Sequence, residues 1–443
     1  MRIGIQAWGT DGDIEPLLAI AVELSKRNHT VNLDILRVKY RDYSFLSVYE
    51  NLNVSVIPFP EKRMEEENHG ISKNIWDTSN PNAGSFIWKR FSLIEYDLFS
   101  SAEKLCLTSD VVLGTQHTLF LCCLAEKYGI IYFSLSYEHS LVRSKYFPPI
   151  GYECDEEEWI IFMWDKLDKH IYDTCHEGVD SFRAAIGLPP VTSVVDGIYQ
   201  SKLLNIISYS SNLYPRNPDD WAGRHYTCGY INSENIYSDW SIPKELNDFI
   251  ESGNSPIFIC FSNSILFEDD LSSLQNLIIS AVISSGERAI FLSNWEENSS
   301  INEKVFKLSG FSYLPKLFEK CSLLIHSGGL GFTHDAARSG LPSIVVPYGM
   351  DHFYNADVLK WHGLTSHIIP RVEITEERLS GAILDSMKNT GLKNIAAEFS
   401  KKEIKDRGVY MAADLIEENF NQLIKKSNDE NQKQIKIHER HVN

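Results

Sequence analysis

The sequence predicts two α/β domains, each a parallel sheet wound with helices, and three observations carry that expectation. The chain opens strand, tight loop, helix, strand. A second series of short apolar strands alternating with helical segments starts near residue 257, after a polar stretch. One strand of that series runs straight into a glycine-rich turn and another helix. At 443 residues and 43% hydrophobic content there is enough chain and enough apolar side chain for two cores of ordinary size.

Taken in order, Arg2 to Ala7 is the first strand and Trp8-Gly9-Thr10-Asp11-Gly12-Asp13 a turn with two glycines. Asp13 is placed to cap the next helix, with Glu15 and Pro16 in its first turn. Leu17, Ile20, Ala21 and Leu24 then recur at helical spacing, and Thr30 to Leu36 returns as a strand. Such a βαβ start implies a parallel sheet with ligand loops at its carboxyl edge. Asp110 to Gly114 and Ile130 to Ser134 are further strands. Leu141 to Cys175, with Tyr146, Phe147, Trp159, Phe162 and Trp164, shows no clear period and reads as an irregular insertion near a cleft. An apolar patch at Trp159 to Trp164 leaves membrane association open, although no strong amphipathic helix is evident there. Leu213 to Ile242, rich in Pro, Asn, Asp and Ser, reads as a linker. Ile257 to Phe261, Arg288 to Leu292, Ser322 to Ile325 and Ser343 to Val346 are the strands of the second half. The expected division is a first domain over 1–212, a linker over 213–242, a second domain over 243–400, a terminal helix over 401–424 and a polar tail over 425–443 that frays.

Bulk properties exclude several classes of function. A net charge of −18 leaves no broad basic face for nucleic acid, although one local anion pocket remains compatible with it. No run reaches the roughly 18 apolar residues of a membrane span, and the first residues read as a buried strand, not a signal peptide. The eight cysteines form no Cys-x-x-Cys pair, so neither a disulfide framework nor a zinc site is expected. The expected compartment is the reducing cytoplasm.

The most informative stretch is His326-Ser327-Gly328-Gly329-Leu330-Gly331-Phe332-Thr333-His334-Asp335-Ala336-Ala337-Arg338-Ser339-Gly340-Leu341-Pro342. Glycines between strand and helix let a ligand approach the backbone, and the helix N-terminus offers unpaired N–H groups and a positive dipole end, which suits a diphosphate. The same glycines also serve a tight turn that needs them for backbone angles alone.

This stretch, followed by Val345-Val346-Pro347-Tyr348-Gly349-Met350-Asp351, resembles the donor-binding signature of the family-1 glycosyltransferases, closest to the sterol and glycopeptide-antibiotic branch. Three distant stretches carry the same resemblance in order: Gly9 to Leu17 at the start, Pro218-Asp219-Asp220-Trp221 with Gly229-Tyr230 in the linker, and Asp406-Arg407-Gly408-Val409 with Ala412 to Glu417 near the end. The resemblance implies a GT-B architecture, two Rossmann-like domains facing a cleft, with acceptor on the first and donor on the second. It implies inverting transfer of a sugar from a UDP- or dTDP-linked donor to a hydroxyl of an apolar, small-molecule or lipid-like acceptor. No cofactor and no metal is expected, because helix dipole, backbone amides and polar side chains stabilise the leaving diphosphate.

The same resemblance assigns residues. Asp13 matches the general base that takes the acceptor's proton, while its plain reading is a helix N-cap. Asp11 stands where the branch has Arg and is the second candidate carboxylate. Thr10 and Gly12 are placed near the donor phosphates. His326, Ser327, Gly328, Gly329, Gly331, Phe332, Thr333 and His334 form the donor loop, with Asp351 and His352 at the donor sugar. Asp351 also reads as an ordinary turn residue after Pro-x-Gly, and His334 as a partly exposed helix histidine.

Besides Asp11, further residues depart from the pattern. Ser327 replaces a phosphate-contacting His, Phe332 a small hydroxyl residue, and His352 the Gln of an Asp-Gln pair; Ser262-Asn263-Ser264 stands in place of Gly-Ser. These departures keep a second class of function open: a non-catalytic sugar-nucleotide-binding or partner protein with a degenerate donor site. An epimerase of the same architecture acting on UDP-N-acetylglucosamine ranks third. His117 and His139 follow strands of the first domain and read as loop polar residues. Arg143 and Lys145 beside Tyr146 read as a solvated charged stretch.

Overall fold

The computed structural model describes residues 1–37, 41–57, 83–137, 139, 141–150, 152, 154–214, 217–261, 270–293, 297–310, 313–349 and 351–442, with backbone alone at 37, 83–94 and 430–442. The first half of the chain contributes β1 (Arg2–Gly9), α1 (Asp11–Lys26), β2 (Thr30–Arg37), β3 (Leu52–Ile57), α2 (Ala83–Thr108), β4 (Val111–Thr115) and α3 (Leu119–Tyr128). β5 (Ile131–Ser136), α4 (Glu157–Ala185), β6 (Asn205–Ile207) and β7 (His225–Thr227) follow. The sheet order is β3-β2-β1-β4-β5-β6-β7, and every pairing is parallel. β1 is buried along nearly its whole length, as a strand covered by helices on both faces must be.

After α5 (Glu234–Tyr237) and α6 (Lys244–Glu251), a second sheet is laid down on the same plan. Its elements are β8 (Ile257–Cys260), α7 (Leu271–Ser285), β9 (Ala289–Leu292), β10 (Ser299–Ser300), β11 (Val305–Leu308), α8 (Leu314–Phe318) and β12 (Leu323–His326). α9 (Leu330–Ser339), β13 (Ser343–Val345), α10 (Asp351–Trp361), β14 (Thr365–Ile368), α11 (Glu376–Lys388) and α12 (Thr390–Glu403) complete it. The strand order is β10-β11-β9-β8-β12-β13-β14, with β10 antiparallel to β11 and the other pairs parallel. In each sheet the winding reverses once, between β1 and β4 and between β8 and β12. Open parallel sheets bind ligands at the carboxyl edge of such a reversal.

Four sequence expectations are corrected. Residues 157–185 are a long helix, not an irregular insertion: Ile160, Trp164, Cys175, Val179 and Arg183 are buried along one face, while Trp159 and Phe162 on the outer face had masked the period. The stretch 213–242 is not all linker, since His225–Thr227 is the edge strand of the first sheet. α1 begins at Asp11 behind Thr10 as N-cap, so Asp13 is its third residue and Pro16 lies inside it. Pro16 has no N–H for the Gly12 carbonyl one turn back. The polar tail continues as helix, because α13 runs Gly408–Val442.

The two sheets share packing. Ile207, Tyr209, Leu213, Tyr214 and Trp221, from the end of β6 and the segment between β6 and β7, form one buried cluster with Ala337, Val345, Ala356 and Leu359 of the second. α13 then returns to the first sheet, where Val409, Ala412, Ala413 and Ile416 join the core under α1. Arg27 at the end of α1 pairs with Asp414 at 2.6 Å and Glu417 at 2.8 Å, and His29 meets Glu417 at 2.6 Å. The chain crosses itself where Tyr230 N donates to Asp406 Oδ2 at 2.9 Å. A Cβ on Gly408 would stand 2.2 Å from the Tyr230 carbonyl oxygen, backbone that cannot step aside cheaply. Gly408→Ala is therefore expected to lose about 2–4 kcal/mol of stability. Thermal denaturation should register this as a midpoint lowered by several degrees; an unchanged midpoint would contradict so close a crossing.

Candidate functional site

The loop after β1 turns at Gly9, whose φ of +126° and whose contact with Asp13 exclude a side chain: a Cβ there would lie 2.5 Å from Asp13 Oδ2. That carboxylate oxygen accepts from Thr10 N at 2.8 Å and Thr10 Oγ1 at 2.9 Å, closing the start of α1 on itself. The Asp13 backbone carbonyl is in turn held by Tyr137 Oη–H at 2.5 Å. With Oδ2 committed, Oδ1 lies 3.8 Å from His117 Nε2, and the Asp13 and His117 side chains keep about a quarter to a third of their surface open, at 26% and 31%. Asp11 is half exposed, and Arg41 Nη1 lies 3.6 Å away. That guanidinium also pairs with Glu15 and packs over the Tyr43, Phe45 and Tyr237 rings. Asp11 is the more exposed of the two carboxylates, and Asp13 the better fixed.

His117 is a functional candidate that sequence reasoning left as a loop residue. It follows β4, and β4 lies next to β1 across the reversal of winding, so residues a hundred apart in the chain meet there. Its ring stands edge-on to Trp8 at 5.7 Å, its carbonyl accepts from the Trp8 indole N–H, and its N–H donates to Thr115 Oγ1 at 3.2 Å. The rings of His117 and Tyr137 thus stand beside Asp13, with Trp8 packed behind His117. His139 is buried farther along the same edge, among Tyr209, Tyr214 and Tyr354. Arg143 and Lys145 are paired with Asp165 and Glu157.

The second site is the turn from β12 into α9. Gly328, at φ +89°, takes a conformation that favours glycine, and a Cβ there would meet the His352 carbonyl oxygen at 2.8 Å. Buried side chains hold the turn from behind. Gly328 N donates to His326 Nδ1 at 3.2 Å, the Gly328 carbonyl accepts from Asn355 Nδ2 at 2.9 Å, and Thr333 Oγ1 donates to the Gly329 carbonyl at 3.1 Å. Asn355 also accepts from Tyr214 Oη–H at 2.6 Å. Gly329 is the N-cap of α9 and supplies no side-chain cap, so the first-turn N–H groups of Leu330 and Gly331 are open to an anion. Asn355 was not picked out from sequence, and its only signal there is a polar residue one turn after Asp351 on a helix.

The expected donor residues divide on this geometry. Gly328, Gly329 and Gly331 form the open turn itself. Ser327 is buried at its base. His326 is fully buried and serves as the prop under Gly328, and Phe332 turns inward onto His326 at 5.9 Å and Phe318 at 6.2 Å. His334 has both nitrogens engaged: Nδ1 meets the Leu330 carbonyl at 2.9 Å and Nε2 accepts from Ser210 N at 3.1 Å, under a Tyr230 ring stacked at 4.4 Å. It is an inter-sheet pin, not a partly exposed helix residue, and its side chain has no nitrogen left for phosphate. Asp351 and His352 open α10 beside the turn, with burial raising the Asp351 carboxyl and lowering His352. Ser262-Asn263-Ser264 lies outside the described residues. Among the described residues no group of three or more His, Cys, Asp or Glu side chains is placed to hold a metal ion, and no helix is long and apolar enough to cross a membrane.

Comparison with known proteins agrees with this layout. Residues 292–408 match the family described as erythromycin biosynthesis protein CIII-like, C-terminal domain. The chain is 25% identical to glycosyltransferase GtfE of Amycolatopsis orientalis over 94% of its own length and 97% of that protein. It is 24% identical to UDP-sugar-dependent glycosyltransferase 52 of Dictyostelium discoideum over 94% of its length, and spans 26% of that relative. A sterol 3-beta-glucosyltransferase of Arabidopsis thaliana is 23% identical over 94% of the chain and 67% of that protein. The crystal structure of the glycotransferase of kitacinnamycin superposes with a TM-score of 0.65 at 15% identity, covering 95% of this chain and 99% of that one, a likeness of fold.

Burial makes the two histidines of the turn sensitive to acid, with His334 lowered to about 4 and His326 to about 3 from an ordinary 6.5. A histidine held neutral by the fold contributes stability that is complete above its unfolded value and is lost as pH falls towards the folded one. Stability is therefore expected to decline between pH 6.5 and about 4, with His334 contributing of order 3 kcal/mol to that decline. Chemical denaturation of His334→Phe against pH tests this: the variant should be weaker at neutral pH, with a visibly flatter acid limb. An acid limb as steep as the wild type's would remove His334 from this account.

Proposed function

From the premise that this chain is a GT-B glycosyltransferase of the family-1 type, we propose that it transfers a sugar, with inversion and without a metal ion, from a UDP- or dTDP-linked donor to a hydroxyl of an apolar small-molecule or lipid-like acceptor. The observation that carries the proposal is the Asp13 carboxylate. One oxygen is fixed by the Thr10 N–H and hydroxyl, and the other lies 3.8 Å from His117 Nε2 on a side chain that keeps about a quarter of its surface open. In that arrangement Asp13 Oδ1 accepts the proton of the acceptor hydroxyl as its oxygen bonds to the anomeric carbon. The bond from that carbon to the diphosphate breaks on the opposite side, and the electron pair leaves on the diphosphate. His117 orients Asp13 and shares the proton once it has moved.

The uncapped first turn of α9 supports the metal-free reading, because its N–H groups and dipole supply the positive potential that a cation would otherwise provide at the leaving group. Rings at Trp8, His117 and Tyr137 support an apolar acceptor. All eight cysteines are free thiols, which supports a reducing compartment, the cytoplasm.

Asp13→Asn should bind UDP or dTDP like the wild type, by thermal shift, while its transfer rate falls about 10²–10⁴-fold. His117→Asn should lose less, about 10-fold, through misorientation of the carboxylate. Undiminished turnover in Asp13→Asn would refute this assignment of the base.

A further inference from the structure

We propose that His352 is the charged partner of the leaving diphosphate: it takes up a proton when a nucleoside diphosphate binds at the start of α9, and the imidazolium supplies the positive charge that the turn itself lacks. The inference rests on the donor site described above and adds a residue and a proton to it.

The turn needs such a partner. A bound diphosphate carries two or more negative charges, while Ser327, Gly328, Gly329, Leu330, Gly331, Phe332 and Thr333 carry no cationic group. His334, next along, is committed to Ser210 and Leu330. His326 is sealed beneath the turn with Nδ1 on Gly328 N. Backbone N–H groups and a dipole end neutralise part of a full charge, and in the dry base of a turn the remainder is costly.

His352 is placed to supply it. The start of α10 packs directly on the glycine turn, with the His352 carbonyl oxygen 2.8 Å from the point where a Gly328 Cβ would stand. The same residue's Nε2 lies 3.9 Å from the corresponding point on Gly329, the N-cap whose following N–H groups face the anion. The imidazole thus lies at the edge of the anion site, on a helix start independent of the one that supplies the amides. Three titratable groups face it: Asp351 on its own helix, His326 from β12 and Tyr348 from the segment before α10. Burial favours the neutral ring, and Asp351 opposes that and favours the cation. A diphosphate bound beside the ring adds negative charge on the same side as Asp351 and favours the cation further. The proton comes from solvent and returns to it when the nucleotide leaves.

Titration calorimetry of the full chain with UDP, and separately dTDP, in buffers of different ionisation enthalpy reads the proton directly. His352→Gln and His352→Asn serve as references for protonation of the nucleotide itself. The wild type should take up protons on binding beyond what either variant shows, and near neutral pH the variants should bind about 10-fold or more weakly. Wild-type affinity should also tighten more steeply than theirs as pH falls towards 6.5. Binding without that extra uptake, or uptake retained in both variants, overturns the role of His352 and leaves the donor site standing. Absence of binding of either nucleotide to the wild type overturns both. Because the wild-type proton count is informative by itself, poor folding of a variant does not shield the proposal.

Discussion

A parallel sheet joined by right-handed helical crossovers must bring every strand-to-helix loop out at the same edge, and where the winding reverses two of those loops face each other with no helix between them. The rest of this molecule is organised around that constraint. In the first sheet the reversal lies between β1 and β4, and the loops it exposes carry Asp13 and His117. In the second it lies between β8 and β12, and the loop after β12 is the glycine turn into α9. The proposed base and the proposed anion site thus occupy the same topological position in the two sheets, filled with opposite chemistry.

The turn is shaped from behind by groups that give up their own solvent contacts. His326, Thr333 and Asn355 are fully buried, and each has a hydrogen bond to the backbone of Gly328 or Gly329. An unmade hydrogen bond in such a place costs about 1–3 kcal/mol, so these contacts fix the turn more firmly than propensity would. The inward ring of Phe332 belongs to the same arrangement, since it covers the His326 imidazole and closes the apolar side of the loop. What looks from sequence like loss of a phosphate-facing hydroxyl is, in the fold, a packing position.

The segment between β6 and β7 and the one that follows β7 do more than connect strands. Tyr209, Tyr214 and Trp221 are buried against α9, β13 and α10, and His334 on α9 accepts from Ser210 on the other side. Tyr230 stacks on His334, reaches the Gly331 carbonyl at 3.4 Å and is gripped through its N–H by Asp406. The helix that offers its N-terminus to an anion is therefore clamped to both the first sheet and the returning C-terminal chain. Truncating a buried aromatic such as Trp221 costs about 3–5 kcal/mol, so the relative placement of the two halves is held by energies comparable to the stability of a whole domain.

How much of this was legible follows from the range of each signal. Local signals were enough for the opening strand–turn–helix, for β8, β9, β12 and β13 of the second half and for the glycine turn, because apolar period and turn chemistry are properties of consecutive residues; β10, β11 and β14 were not read from sequence. The resemblance in order along the chain was enough for the GT-B layout and for singling out Asp13. Short or edge strands such as Asn205–Ile207 and His225–Thr227 carry too few residues to show a period, and α4 hid its period behind exposed aromatics. Which strand lies beside which is not written in either strand. The meeting of Asp13 with His117, the engagement of both His334 nitrogens and the approach of His352 to Gly329 were therefore decided only by tertiary structure, since each joins side chains to partners that only long-range packing brings within reach.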